Sequence, residues 1–554
     1  MASRQEDPKD SAADQQTSQH PALELSEHQS VVDRPMDRCI SKATNSVPRE
    51  ILTLIFQFCV ASEAGLANRF FHNTAKSPWL LTYVCGKWRE LALRTPSLWT
   101  TIRVSVDALE GSGRSLADVS ELLLSYLERS RPLLLSITVM SEDSFPAHIL
   151  DPIAATCERW HDLFLFAHPD DFPRFGAIRD HLPALQALQI IPTRLGNPAN
   201  TSPTMFEIAP KLDTLSLGGH ALELNFALPW KQIRSFEGNY IDPIDVLSVL
   251  PRMPGLTDLK LGREPPEHTP GPTQGIMITL ASLRALTLNV SDDQRSPGHP
   301  DDLLDHLTLP ALSDLEVECD VEESIECMRR LIERSDCRIE TLTLVVTFKC
   351  RGDLLSLFRL TPHLRRLTLF DGTTMTAPRL LDALVVRPED PGSVLLPKME
   401  HTTLLASSPL PEEDVLRWLD VFESRVNPPQ PQSEDGEVDE AQRIHSLRGI
   451  LMGCTSGENI VGNRVCVDRF QGIATAGVTV DLWRADALSA CGFGPEATWM
   501  RERRATEAKE ANDSAARCMR GLFPLDMRIT SQRKLAVSVT EVPMSAQTYH
   551  ITVM

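Results

Sequence analysis

No stretch of the chain approaches the roughly 20 apolar residues that cross a bilayer, and no basic start followed by an apolar run marks secretion. The expected setting is therefore the cytoplasm, the nucleus or both. Positive charge is in deficit: 55 Lys and Arg against 75 Asp and Glu give a net charge of −20, and no basic patch of any size is visible along the sequence. That balance argues against general attraction to nucleic acid or to an anionic membrane. The 12 cysteines are scattered, with no C-x-x-C pair and no cysteine–histidine cluster at zinc-ligand spacing, so buried free thiols are expected rather than disulfides or a metal site.

Catalytic motifs are missing as well. There is no G-x-x-x-x-G-K-[ST] loop, no H-E-x-x-H and no G-x-S-x-G, and GSGRS (111–115) lacks the strand–glycine–helix setting that cradles phosphate. Histidines such as His161, His168 and His363 are dispersed rather than clustered. Asn200, Asn289 and Asn512 head glycosylation triplets that stay unmodified without secretion, and Arg351-Gly352-Asp353 carries no function of its own. A chain with no cofactor, no metal and no chemistry of its own is expected.

What the chain does have begins with two apolar segments, 46–59 and 77–99. In the first, only Thr53 and Gln57 interrupt Ile51, Leu52, Leu54, Ile55, Phe56, Phe58, Cys59 and Val60. Those two lie on one narrow helical strip, so the helix needs burial on two sides. Pro48 in the first turn and Glu50 beside the positive helix end mark its start. The second segment places Leu81, Val84, Cys85, Trp88 and Leu91 on one helical stripe and stops at Thr95-Pro96, because the residue before proline resists the α region. Two short helices leave part of this surface uncovered, which predicts a partner protein.

The order Pro48, Glu50, Ile51-Leu52, Ile55-Phe56, Val84-Cys85, Trp88-Arg89, Leu91-Ala92, Thr95-Pro96 and Leu98-Trp99 resembles the F-box, in the fungal F-box-like form with an insert (here 61–76) between its first two helices. It departs at Val47, where the family has leucine, and at Gly86, where it has a basic residue. A glycine inside a helix costs about 0.5–1 kcal/mol relative to alanine, so a weaker second helix is expected.

The middle of the chain repeats L-x-x-L-x-L. The copies are Leu185-Leu188-Ile190, Leu212-Leu215-Leu217, Leu256-Leu259-Leu261, Leu283-Leu286-Leu288, Leu312-Leu315-Val317, Ile339-Leu342-Leu344 and Leu364-Leu367-Leu369. Weaker copies start at Trp160, Ile233 and Met399. The last two apolar positions of each copy share one face of a strand and the residue between them points away. Between copies, segments such as 321–335 carry Ile325, Met328, Leu331 and Ile332 at helical spacing, which predicts strand then helix.

This stretch resembles leucine-rich repeats, although the family's asparagine or cysteine three residues past the last leucine is replaced by His220, Glu264, Ser291, Asp320 and Gly372. The resemblance implies an α/β repeat fold, a small helical F-box followed by a solenoid with parallel strands concave and helices convex. Strand 132–140 and the amphipathic helix 412–426 are expected as its caps. The expected order is a disordered segment (1–45), the F-box-like domain (46–100), a connecting and capping region (101–156), the repeat array (157–426), an acidic proline-rich linker (427–445) and an extension (446–554) of unassigned fold. That extension holds one further strand pattern at Leu447, Ile450 and Met452, a charged helix near 501–520, and alternating residues in KLAVSVTEV.

What the two resemblances imply together is a substrate-recognition subunit of a Skp–cullin–F-box ubiquitin ligase, with the alternative of a non-catalytic interaction scaffold that assembles no ligase. The implied adaptor-facing residues are Pro48, Ile51, Leu52, Ile55 and Phe56 from the first helix and Val84, Cys85 and Trp88 from the second, with Trp99 locking the small core. For a protein target, the outward strand positions Asp258, Lys260, Asp314, Glu316, Glu318, Arg366 and Phe370 are the candidates, an acidic centre followed by an arginine and an aromatic.

Overall fold

The structure, a computed structural model, describes residues 47–63, 70–142, 145–193, 203–239, 241, 243–262, 277–289, 303–319, 322–346, 353–370, 378–390, 393–406, 410–430, 443–454, 464–484 and 550–551. The expected disorder of 1–45, the acidic run within 427–445, the charged helix near 501–520 and the KLAVSVTEV segment fall outside these residues. The chain divides into two compact units, Met1–Arg69 with Asn73–Trp99, and Phe70–His72 with Thr100–Met554.

The first unit is helical: α1 (Arg49–Ser62), α2 (Trp79–Val84), α3 (Gly86–Leu93) and a 3-10 turn over Pro96–Trp99. The single second helix expected from the sequence is broken. Cys85 is extended (φ −161°, ψ 171°) and its carbonyl accepts Arg89 N–H at 2.9 Å to start α3. Thr82, Tyr83, Val84, Cys85 and Gly86 are all weak helix formers, so a break there costs little, and Gly86 opens a helix instead of weakening the middle of one. The Arg89 side chain donates back to the Thr82 carbonyl at 2.9 Å, satisfying an orphan acceptor at the end of α2. Trp99 does lock this core. It is fully buried, crosses Trp79 edge-on at 4.9 Å, and donates its indole N–H to the Ala92 carbonyl at 2.8 Å.

The second unit is built on a fifteen-stranded sheet. Its strands are β1 (Thr101–Ser105), β2 (Leu135–Met140), β3 (Trp160–Ala167), β4 (Ala187–Pro192), β5 (Thr214–Gly218), β6 (Ser235–Asn239), β7 (Asp258–Gly262), β9 (Ala285–Asn289), β11 (Asp314–Cys319), β12 (Thr341–Val346), β13 (Arg366–Phe370), β14 (His401–Ala406), β15 (Gly449–Cys454), β16 (Thr479–Arg484) and β17 (His550–Ile551). They neighbour one another in chain order and pair in parallel, except for β17, which is antiparallel to β16. The two-residue strands β8 (Ile278–Thr279) and β10 (Leu307–Thr308) form a separate parallel pair. Among the described residues, connections carry α4 (Val106–Glu110), α5 (Leu116–Arg129), α6 (Ala147–Ala154), α7 (Pro243–Val249), α8 (Glu322–Ser335), α9 (Leu354–Arg359), α10 (Pro378–Leu384), α11 (Glu412–Val426) and α12 (Arg464–Thr475), with 3-10 turns such as Pro169–Ile178 and Trp230–Gln232 in others. This is an α/β, solenoid-like arrangement. GSGRS is the loop expected of it, Ser115 capping α5 by accepting Asp118 N–H.

The repeat pattern becomes register. Leu188, Leu215, Phe236, Leu259, Leu286, Leu315, Leu342 and Leu367 form one inward row, and Ile190, Leu217, Leu261, Leu288, Val317, Leu344 and Leu369 belong to a second, all buried. Successive repeats are also joined ahead of the strands. The carbonyls of Gln186, Asp213, Arg234, Thr257, Arg284, Ser313, Glu340, Arg365 and Glu400 each accept two N–H groups of the next repeat at 2.7–3.2 Å. The sheet extends on both sides of 157–426. β1 precedes the strand expected as first cap, and α11 is followed by β15 and β16, so neither expected cap ends the array. In β1 and β16 the inward pairs Ile102 and Val104, and Val480 and Leu482, sit among polar residues without leucine-rich signal.

The asparagine ladder absent from the sequence has a replacement. Arg159 donates to the Leu127 and Leu133 carbonyls, Gln232 to those of Ala209 and Leu212, Arg334 to those of Leu304 and Leu307, and Arg425 to those of Leu384, Leu395 and Leu396. Each long side chain reaches from one connection to the connection before it. Arg425 is wholly buried with no carboxylate beside it, and burial pulls its pKa down to about 9.

Candidate protein-interaction surfaces

The helix α1 has two apolar faces with different fates. Leu52, Phe56 and Val60 are buried within the helical unit, while Ile51, Leu54, Ile55 and Phe58 are exposed. At about 100° per residue the exposed four span roughly 100° of the helix, centred about 150° round from the buried three. Phe56 is 0% exposed and packs on Trp88 with ring centroids 4.8 Å apart; Phe58 is 74% exposed. On α2, Leu80, Tyr83 and Val84 are also exposed. Polar contacts hold the faces in phase: Gln57 donates to the Ser97 hydroxyl at 3.0 Å, and Lys87 to the Val47 carbonyl at 3.2 Å.

Among the expected adaptor-facing residues, Pro48, Ile51, Ile55 and Val84 are accessible. Leu52 and Phe56 are not, because they are the core of the unit itself. Cys85 is half-buried at the break between α2 and α3, and Trp88 is half-buried against Phe56 with its indole N–H enclosed and unpartnered. Four accessible residues were not singled out from the sequence: Leu54, Phe58, Leu80 and Tyr83. The phase of α1 could have found the first two, since 51, 54, 55 and 58 follow the i, i+3, i+4, i+7 spacing of one face.

On the sheet, the outward residues form rows. Asp258, Ala285, Asp314, Thr341, Arg366 and His401 align across successive strands, as do Glu237, Lys260, Thr287, Glu316, Thr343 and Thr368. The seven expected target-facing residues all lie on this side. Lys260, Asp314 and Arg366 are exposed, Asp258, Glu316 and Phe370 half-buried. Glu318 is 6% exposed and not available as a surface contact. Phe370 aligns with Val345 and Leu405, both buried, so this row is not the open, water-facing edge that alternation alone predicts.

Local hydroxyls orient the acids. Thr257 donates to Asp258 at 2.6 Å and Ser313 to Asp314 at 2.5 Å, which fixes both carboxylates at the start of their strands. Glu316 differs: one carboxylate oxygen is enclosed and has no hydrogen-bond partner. Burial pushes its pKa up, opposed by the charge of Lys260 two strands away.

Among the described residues there is no group of His, Cys, Asp and Glu able to hold a metal ion, and no helix long and apolar enough to cross a membrane. An open hollow of about 330 Å³ beside α10 is lined by Arg379, Asp382, Arg387 and Asp390, charges of both signs with no nucleophile and base in hydrogen-bonded contact. A scan against protein-family models matches none, and a search of curated proteins returns no match.

Proposed function

We propose that this protein is a non-catalytic substrate receptor of a Skp–cullin–F-box ubiquitin ligase, its helical unit an F-box-like domain that docks the Skp adaptor and its sheet a leucine-rich-repeat surface that holds a protein target. The observation that carries this reading is the second apolar face of α1, with Ile51, Leu54, Ile55 and Phe58 uncovered on a helix whose other face already makes a core. A single domain gains nothing by presenting such a face to water; a partner helix or groove covers it. The accessible adaptor contacts are then Pro48, Ile51, Leu54, Ile55, Phe58 and Val84. The chain's contribution to ubiquitin transfer is proximity, holding target lysines near a conjugating enzyme carried by the rest of the complex.

For the target, the sheet offers Asp258, Lys260, Asp314, Glu316, Arg366 and Phe370. Lys260, Asp314 and Arg366, exposed on the outward rows, are the charges a partner meets first.

Co-purification tests both halves. Ile51→Asp combined with Phe58→Asp should abolish capture of the Skp adaptor, since several kcal/mol of desolvation is enough to undo a micromolar complex. Both positions are exposed, so the fold should survive. Retained capture would refute the adaptor surface, and adaptor without cullin would favour the scaffold. Reversal of Asp314 and Glu316 to Lys should weaken target capture and leave adaptor binding intact.

A further inference from the structure

Three residues inside the insert 61–76, Phe70, Phe71 and His72, belong to the second unit rather than to the helical one on either side of them in the chain. β1 is the first strand of the sheet and has β2 as its one strand neighbour, so its other edge needs a cover. The Thr100 carbonyl turns toward β2, where it accepts the Ser136 N–H at 3.0 Å. By the alternation of a parallel strand the Arg103 carbonyl turns the opposite way. On that far side it accepts the Phe71 N–H at 3.1 Å.

Rings hold this segment in place. Phe71 is 2% exposed and meets Tyr126 of α5 edge-on at 6.4 Å, and the Arg103 guanidinium lies over Phe70, 6.0 Å from the ring centroid. His72 is 6% exposed, stacked on Phe70 at 5.7 Å and edge-on to Phe71 at 5.6 Å. Its Nδ1 is enclosed without a partner, while the Ala108 backbone gives the ring a hydrogen bond. Burial, then the charge of Arg114, holds its pKa below the ordinary histidine value, against the pull of that bond. The cations on the elements around it are Arg103 on β1, Arg114 after α4 and Arg129 on α5. The acids are Asp107 and Glu110 on α4 and Asp118, Glu121 and Glu128 on α5, and none of them pairs with the ring.

We infer that Phe70–His72 is an acid-released latch over the outer edge of β1, closed while His72 is neutral and opened when its imidazole takes a proton. Protonation places a charge and a second N–H donor, on Nδ1, in an enclosed site where no carboxylate receives them. In the open segment the ring titrates near the ordinary value, about 6.5. The latch is therefore fully held above that pH and weakens as pH falls through it toward the lower value of the closed state. Release frees the Arg103 carbonyl to accept from another chain, so acid turns a covered end of the sheet into an edge that can pair. This goes beyond the receptor reading and needs neither adaptor nor target, so either can fail alone.

The experiment is native-state hydrogen exchange of the full chain, by mass spectrometry at about pH 7.5 and about pH 5.5, read as protection factors so that the pH dependence of the chemical exchange cancels. Protection over 70–72 and 101–105 should fall about three- to tenfold at the lower pH, tenfold being the ceiling for a group that titrates about one unit higher in the open form. Protection over 285–289, in β9, should not change. His72→Gln and His72→Phe are neutral at both pH values and should show no such fall, whereas Phe71→Ala should lose protection of 101–105 at both. Proton NMR of the imidazoles, with the His72 signal identified by its loss in His72→Gln, should give a titration below about 6.5 and reads the native chain whether or not the variants fold well. No fall at pH 5.5, an equal fall in the His72 variants, a fall shared by 285–289, or a His72 titration at or above about 6.5 would each overturn the latch.

Discussion

Phe56 and Phe58 stand two residues apart on α1 and should behave as opposites. Phe56→Ala removes a fully buried ring and leaves a cavity, about 3–5 kcal/mol for such a truncation. Loss of the ring contact with Trp88 at 4.8 Å adds about 0.5–1.5 kcal/mol. A helical unit of about 50 residues has roughly 3–8 kcal/mol of stability in all, at 0.05–0.15 kcal/mol per residue. Phe56→Ala should therefore leave this unit largely unfolded. Phe58 keeps only about a quarter of its side chain covered, so Phe58→Ala costs at most about 1 kcal/mol at 25 cal/mol per Å². Native-state hydrogen exchange read by mass spectrometry over 49–62 separates the two, with protection lost in Phe56→Ala and kept in Phe58→Ala. Adaptor capture should report the reverse for the exposed ring, lost in Phe58→Asp with protection intact. Equal loss of protection in both alanine variants would refute the division of α1 into a core face and a docking face.

Leu286→Ala should cost about 2–5 kcal/mol in chemical denaturation, because its side chain packs in the inward row between Leu259 and Leu315, whereas Thr287→Ala on the outward row should cost well under 1 kcal/mol. Glu316 is an acid whose folded pKa lies above its unfolded one, so stability falls as pH rises through about 4.5 toward the raised value. Glu316→Gln should remove that fall, matching the native protein near pH 4 and exceeding it at pH 7 in thermal melts. Arg425→Ala strips donors from the Leu384, Leu395 and Leu396 carbonyls and should lower stability by about 2–4 kcal/mol by calorimetry, with Arg425→Lys recovering part of it because an ammonium does not reproduce the guanidinium fork.

The inward rows were legible from β4 to β13, since a strand's period of two leaves one arrangement that buries Leu286 with Leu288 and turns Thr287 to the other face, whereas the pairs of β1 and β16 carry no repeat signal. Helix α8 was legible in the same way from Ile325, Met328, Leu331 and Ile332, all buried. The two faces of α1 were not separated, because both are apolar and composition cannot say which one is the core. Gly86 read as a weak point within a helix, whereas the run of poor helix formers from Thr82 onward made a full break cheaper.

The donors that replace an asparagine ladder all point one way along the chain. Arg159, Gln232, Arg334 and Arg425 each reach back to carbonyls that precede them, and the paired N–H groups leading each strand do the same. For these bonds the array has a growth direction: each strand-leading N–H pair finds its acceptor already laid down by the repeat before, the order in which a ribosome delivers them. A chain ending at Ala406 keeps the paired N–H bonds of every strand it retains and gives up only the Arg425 donor to the Leu384, Leu395 and Leu396 carbonyls, while one beginning at Leu283 strands the N–H groups of Arg284 and Ala285 without the Thr257 carbonyl. On this account C-terminal truncations should retain cooperative melting where N-terminal ones of equal length fray, and equal loss from both ends would count against a directional assembly.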